Sequence, residues 1–353
     1  MDRVALEGAL TRAGQPPYRL RQAVSAQLAG AATWSDVTTL PTALRETLSG
    51  ELPLWSLEPD LRLVSRDGTV KWRLRARDGA TVEAVLIPEG ERRTVCVSSQ
   101  AGCALACRFC ATGAMGPGRD LTRWEILDQA LLAAAESRAQ GTRLSNVVFM
   151  GMGEPLQNLD AVLDAARDMT SPDEAGLSPR RIAVSTVGWV PGIARLAEHD
   201  QSLRLAVSLH AADDHTRSAL MPINARYPIP NLMAACRRYC DRTGRRVFIE
   251  YLLLDGVNDS PADARRLADL LRDGRFHVNL IEYNPTVGPD RGSPPERREA
   301  FRRALAKAGI EASVRRSRGA DVAAACGQLA GRDEDAALRS PGPAPSRPGT
   351  PTR

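Results

Sequence analysis

From about residue 94 the chain alternates short apolar stretches with amphipathic ones, and this alternation constrains the fold more than any other feature. The apolar stretches predict strands at Val95–Ser98, Asn146–Met150, Arg181–Ser185, Leu203–Ser208, Val247–Leu254 and Val278–Ile281. Helical periodicity predicts helices at Arg123–Ala139, Leu159–Met169, Val190–Glu198, Ile229–Thr243, Ala262–Leu271 and Pro295–Ala308. Six strand–helix repeats of this length imply an α/β fold with a parallel sheet and right-handed crossovers. Polar and glycine-rich segments recur at strand C-termini, where a parallel barrel gathers its site, so a partial or full barrel is favoured. Pattern alone leaves a doubly wound sheet open.

The segments before the repeats differ. Residues 1 to about 50 read as helices, one starting at Tyr18 after Pro16-Pro17 and one running from Pro41 to about Leu48. Leu61–Val64, Val70–Arg75 and Val82–Ile87 alternate as strands, with Asp67-Gly68 and Asp78-Gly79 as hairpin turns. One face of this ribbon carries Lys71, Arg73, Arg75 and Arg77. A solvated edge is the plainer reading of that face, and a nucleic-acid backbone surface the functional one. The expected organisation is a helical accessory unit over 1–55, a hairpin extension over 56–93 and a barrel with a C-terminal cysteine loop over 94–331. A disordered Pro-rich tail is expected over 332–353.

Cys103, Cys107 and Cys110 stand in a C-x3-C-x2-C pattern. A structural zinc site takes four ligands, commonly as two C-x2-C pairs, and no second pair or nearby His is present. Three thiolates on a four-iron cluster leave one iron open to a small molecule with an amine and a carboxylate. The spacing resembles that of radical S-adenosylmethionine (SAM) enzymes. Seven cysteines form no disulfide framework, which suits a reducing, cytoplasmic compartment. No signal peptide is visible and no run approaches the ~18 apolar residues of a membrane span. A formal charge of +5 permits a nucleic-acid partner without demanding one.

Further polar groups fall at the expected rim. Gly151-Met152-Gly153-Glu154 follows the second predicted strand, and Glu154 suits an ammonium partner. Ser185, Ser208, His210 and Asn284 end or follow later strands. Taken singly each is commonly a cap or a core hydrogen bond; together they point to one pocket. Cys96 precedes the cysteine loop, and Cys326 lies in a glycine-flanked loop near the chain end. Cys236 and Cys240, four apart on one helix face, read as small buried hydrophobes.

The stretches CVSSQAGCALACRFCATG, FMGMGEPLQN, STVGWVPGI, SLHA, MPINARYPI, GVND, HVNLIEYNP and AACGQL are colinear. Over residues from about 17 to 330 the chain resembles the RlmN/Cfr family of radical SAM RNA methyltransferases. The resemblance implies a small helical N-terminal domain, a partial (β/α)6 barrel and a flexible loop carrying a reactive cysteine. It implies that Cys103, Cys107 and Cys110 hold a [4Fe-4S] cluster, and that Gly153, Glu154, Ser185, Ser208, His210 and Asn284 contact SAM. Cys326 would become S-methylated, Cys96 would resolve the enzyme–RNA adduct through a transient disulfide, and Glu83 would accept a proton. On sequence alone Glu83 reads as an exposed strand carboxylate.

The implied substrate is C2 or C8 of an adenine in RNA: 23S rRNA at the peptidyl transferase centre, with tRNA as a further target. The implied electron donor is a flavodoxin or ferredoxin, and no membrane is involved. Pro17-Tyr18-Arg19, 177–181, 221–229 and 256–260 look nearer the Cfr-like, C8-directed branch. A radical SAM enzyme acting on a non-RNA substrate is the competing class. A non-enzymatic iron–sulfur protein would leave Cys96 and Cys326 unexplained.

Overall fold

Hydrogen bonds link ten strands in chain order, each to the next, into a single sheet. The computed structural model describes residues 1–199, 202–286 and 288–330, so the expected tail lies outside the described residues. Three helices, α1 (Arg3–Arg12), α2 (Tyr18–Leu28) and α3 (Thr42–Glu51), precede an antiparallel ribbon. The ribbon comprises β1 (Leu57–Val64), β2 (Val70–Ala76), β3 (Thr81–Glu89) and β4 (Arg92–Cys96). After the cysteine loop come α4 (Ala111–Met115), α5 (Arg123–Ala139), β5 (Asn146–Phe149), α6 (Leu159–Thr170) and β6 (Ile182–Thr186). The chain continues through α7 (Val190–Glu198), β7 (Arg204–Ser208), α8 (Asp214–Leu220), α9 (Ile229–Thr243) and β8 (Val247–Leu253). It ends in α10 (Pro261–Leu271), β9 (Phe276–Glu282), α11 (Pro295–Lys307) and β10 (Ala312–Arg315).

Every pair from β4 to β10 is parallel. A doubly wound sheet would reverse its strand order at a switch point; this order never reverses, and the protein is a partial (β/α)6 barrel. The helices form where the sequence signals them. Thr122 and Ser260 build capping boxes with Glu125 and Asp263, fixing the starts of α5 and α10. Gly244 closes α9 in the left-handed conformation. Val24, Leu28, Leu44 and Leu48 of the N-terminal helices join the same apolar core as the barrel strands.

The structure corrects several expectations. The first barrel strand is Arg92–Cys96, earlier than Val95–Ser98, because β3 draws the chain into the ribbon as a fourth antiparallel partner. Helix α1 falls within the 1–50 stretch read as helical, though its bounds were not given, and strand β10 was not anticipated, because it carries only four residues, too few to show a period. The basic face of the ribbon is split: Arg75 and Arg77 are exposed, whereas its other two members are not. Lys71 is 1% exposed and Arg73 is also buried. Register places Lys71 opposite Val85, Arg73 opposite Glu83 and Val85 opposite Cys96, so these side chains share one sheet face. That face is covered by the C-terminal loop.

Arg217 on α8, 0% exposed, holds the strand ends in place. Its guanidinium donates to the carbonyls of Val187 (2.6 Å) and Leu209 (3.2 Å) and to Oδ1 of Asn224 (2.7 Å). Burial lowers its pKa to about 10, and it still remains charged at neutral pH. Replacing Arg217 with Met should strand several buried acceptors and cost about 3 kcal/mol or more. Chemical denaturation would read this as a lower midpoint; an unchanged midpoint would show that those carbonyls find other donors.

Candidate active site

The C-terminal ends of β5 to β9 surround a cavity of about 160 Å³. Its wall includes Cys103, Cys107 and Cys110 on one side and Cys326 on another. Gly153, Glu154, Ser185, Ser208, His210 and Asn284 line it as well, so all six expected rim residues meet there. Cys96 and Glu83 do not line it. They sit buried on the adjoining ribbon face, and Glu83, at 2% exposure, is no surface carboxylate. Cys236 and Cys240 are buried in the core, as read.

The cysteine loop is shaped by close backbone approach. A Cβ on Gly102 would lie 2.8 Å from the Gly118 nitrogen, and Gly102 has φ +144. Gly153, at φ +97, leaves no room either: a Cβ would fall 2.5 Å from Gln100. The Gln100 amide oxygen accepts from the Glu154 N–H at 2.8 Å. Ala106 in the cysteine loop, His210, and Ala323 in the C-terminal loop are the positive-φ non-glycine residues among those described. Such strained positions gather where surrounding structure holds a site in shape.

Electrostatics follow from dryness. Glu154 is 1% exposed; its two oxygens accept from Leu156 N (3.0 Å) and Val187 N (2.8 Å), yet burial raises its pKa to about 7. Buried His210 is held neutral, its pKa lowered to about 3 by burial and then by Arg217. Its Nδ1 accepts from Leu252 N at 3.0 Å, so the proton lies on Nε2. Phe109 packs edge-on against it at 4.7 Å.

The donor set fits an iron–sulfur cluster. Burial pushes the Cys103 thiol up to about 11 and the Cys107 thiol higher still, so thiolates form here only against strong positive charge such as iron. Among the described residues no three His, Cys, Asp or Glu side chains converge as ligands of a single ion would. A four-iron cube is held at separate corners.

Cys326 is exposed towards the cavity, and the protein around it still raises its thiol pKa. Its loop is tied down from several sides. Asn284 Nδ2 donates to the Cys326 carbonyl (3.2 Å), Ala111 N to the Gly327 carbonyl (2.7 Å) and Thr112 Oγ1 to the Leu329 carbonyl (2.6 Å). The ribbon supplies the rest. Lys71 Nζ donates to the Ala323 carbonyl (3.3 Å) and pairs with Glu83 Oε1 (3.4 Å), while Glu83 Oε2 accepts from Ala330 N (3.1 Å). Ser65, on the turn after β1, donates to Asp321 at 2.5 Å. Cys96 is buried close enough to Cys326 for the two thiols' charges to interact; burial is the larger cause of its raised pKa. All seven cysteines are free thiols.

Sequence reasoning missed Arg217 and Glu250, and read Lys71 as part of a solvated or nucleic-acid-facing edge where the structure buries it under the C-terminal loop. Each acts through partners distant in sequence, and no local spacing signals them.

Comparison with known proteins agrees with this geometry. The radical SAM superfamily pattern matches residues 97–271. A probable dual-specificity RNA methyltransferase RlmN of Moorella thermoacetica is 49% identical over 332 residues, covering 92% of this chain and 94% of the relative. Its counterpart in Thermus thermophilus is 50% identical over 302 residues, 85% of each. A crystal structure of a radical SAM methyltransferase from Sphaerobacter thermophilus superposes with a TM-score of 0.89 at 47% identity, covering 94% of this chain and 98% of that one. The chain belongs to the RlmN family of radical SAM RNA methyltransferases. A [4Fe-4S] cluster and SAM are therefore its cofactors, and RNA is its substrate class. The relatives cited carry the RlmN name, and a place nearer the Cfr-like branch gains no support from them. No helix among the described residues is long and apolar enough to cross a membrane.

Two outcomes follow from the geometry. If Glu154 pairs with the SAM ammonium, its ionised form is the binding one, so SAM affinity should fall as pH drops through about 7. Glu154→Gln should bind weakly and lack the Glu154-dependent fall near pH 7, the α-amino group of SAM titrating in both proteins; calorimetric titration across the range decides. For the loop, Lys71→Met removes a tie to Ala323 and a partner of Glu83. Amide exchange over Ala324–Ala330 should quicken about tenfold, matching loss of one charge-assisted hydrogen bond of about 1.5 kcal/mol. Exchange in β6–β8 should stay as it was.

Proposed function

We propose that the protein methylates a ring carbon of an adenine in RNA, at the peptidyl transferase centre of 23S rRNA, through a methyl group carried on Cys326. Cys326 sharing one cavity with Cys103, Cys107 and Cys110 is the observation that carries this reading. The RlmN name of the relatives favours C2 over the C8 of the Cfr-like branch, and their dual-specificity name fits tRNA as a further target.

In this reading Cys103, Cys107 and Cys110 hold the cluster, and Glu154 receives the SAM ammonium while Gly153 lets the ligand approach. Ser185, Ser208 and Asn284 offer polar contacts, and neutral His210 donates from Nε2. When bound, the cluster and SAM supply the methyl group and the radical chemistry that an unreactive ring carbon requires. Cys326 carries the methyl carbon to the base, which leaves enzyme and RNA joined by a methylene. Glu83 takes the proton lost from the ring carbon. Cys96 attacks the Cys326 sulfur, forming an S–S bond as the sulfur–methylene bond breaks. The bond's electron pair stays with the carbon, and the proton given up by the Cys96 thiol is balanced by one taken up there, so the RNA leaves carrying a methyl group. Burial keeps Cys96 a neutral thiol at rest, which restrains premature attack. A flavodoxin- or ferredoxin-type donor would supply electrons, in the cytoplasm where ribosomes lie. The helical unit over 1–55 and the exposed Arg75 and Arg77 of the ribbon are the surfaces outside the 94–331 barrel offered to RNA.

Nucleoside mass spectrometry of rRNA and tRNA from cells with and without the gene tests the target: loss of one methyladenosine species is expected. The thiols are tested separately. Cys326→Ala should form neither product nor adduct, whereas Cys96→Ala should accumulate protein crosslinked to RNA, seen as a nuclease-sensitive mass shift. Normal turnover by Cys96→Ala, or methylation by Cys326→Ala, would sink the two-thiol scheme.

A further inference from the structure

Glu250 on β8 has no part in the scheme above, yet it is 2% exposed and lines the same cavity. Its register partners are Ser208 on β7 and Asn279 on β9, so it projects from the face that carries the rim serine. Asn279 Nδ2 donates to Glu250 Oε1 at 2.8 Å, and Ser313 Oγ in turn donates to Asn279 Oδ1 at 3.0 Å, which fixes the amide's orientation. Oε2 accepts no hydrogen bond. The Arg315 guanidinium stands 3.8 Å from it, supplying charge at a distance beyond hydrogen bonding.

A buried carboxylate oxygen without a donor is costly. Here burial also pushes the carboxyl pKa up, Arg315 opposing. Such a group persists when a ligand brings the missing N–H. Two adenines enter this cavity in the proposed reaction, one in SAM and one in RNA. Each presents an exocyclic amine, the group a carboxylate accepts from when it reads a base edge. Glu250 also lies close enough to Cys326 for its charge to reach that thiol. Cys326 is the sulfur that must face the target ring.

We propose that Glu250 Oε2 accepts the exocyclic amine of the target adenine and so selects adenine in the cavity. The inference rests on the reading of RNA adenine as substrate.

Glu250→Gln gives a distinctive test, because Asn279 donates to Oε1. The glutamine must turn its oxygen to Asn279 and its NH2 into the cavity, replacing an acceptor with a donor. RNA hairpins bearing adenosine, purine riboside or inosine at the target position would be titrated against cluster-loaded enzyme by fluorescence anisotropy. Phosphate contacts are common to all three, so affinity ratios read the base edge. The native protein should prefer adenosine over purine riboside by about 10- to 100-fold, as expected for one hydrogen bond to a charged group. Glu250→Gln should lose that preference and favour inosine, whose 6-oxygen accepts. Glu250→Asp, which withdraws the acceptor but keeps its charge, should lose the adenosine preference without gaining one for inosine.

An undiminished adenosine preference in both variants overturns the proposal. So does weakened SAM binding in Glu250→Gln with the base preference intact, which would assign the carboxylate to SAM. If the native protein itself neither distinguishes the three RNAs nor methylates adenosine, the reading of RNA adenine as substrate fails instead.

Discussion

A parallel sheet delivers every strand's C-terminal end to one rim, and the backbone groups there must be satisfied without water. Some of the side chains that do this line the cavity, as Glu154 and His210 do, and others, Asn258 and Arg217, stand behind it. Glu154 accepts from Leu156 and Val187, and His210 accepts from Leu252. Asn258 donates to the carbonyls of His210 and Leu252, both at 2.7 Å, and accepts from Leu254 N. Arg217 gathers Val187, Leu209 and Asn224. Holding the rim together consumes part of each residue's hydrogen-bonding capacity, and what remains, such as His210 Nε2, is left for ligand. Structural and chemical roles therefore coincide here.

The antiparallel ribbon has its reason in the same constraint. A loop that holds a cysteine thiol over a cavity needs fixed points outside the barrel. Ser65, Lys71 and Glu83 provide them, reaching Asp321, Ala323 and Ala330. The Lys71–Glu83 pair is almost wholly buried, so each charge depends on the other. As the proposed proton acceptor, Glu83 also pins the loop. Once protonated it loses much of its attraction for Lys71 and accepts more weakly from Ala330. Proton uptake would thus loosen the loop at the stage when the RNA must leave.

Legibility in the sequence tracked the range of the interactions. The barrel was readable because strand and helix periods are local, and α5, α7 and α9 fall where periodicity and caps place them. The six rim residues were readable because a parallel sheet turns strand-end position into spatial proximity. The ribbon was half readable. Alternation shows that Lys71 and Arg73 share a face, but not that residues some 250 positions later cover it. Hence Glu83 read as exposed and proved buried. Glu250 sits within an apolar strand, with no spacing to mark it; its partners Asn279 and Arg315 lie on β9 and β10.

The size of the cavity bears on how RNA is chosen. A cavity of about 160 Å³ lined by the three loop cysteines, rim residues and Cys326 is far too small for a duplex. A ring carbon of adenine is inaccessible within a stacked helix, so the base has to leave its stack to meet Cys326. Recognition then divides in two. Surfaces outside the barrel must read the RNA's shape, while the cavity reads one base edge. The second task requires a fixed acceptor in a dry wall, because water would otherwise satisfy an incoming amine as well as the protein does. Glu250, oriented through Oε1 by Asn279 and left with an Oε2 that accepts no hydrogen bond, would meet that requirement, and the cost of burying that oxygen would then be the source of the proposed selectivity.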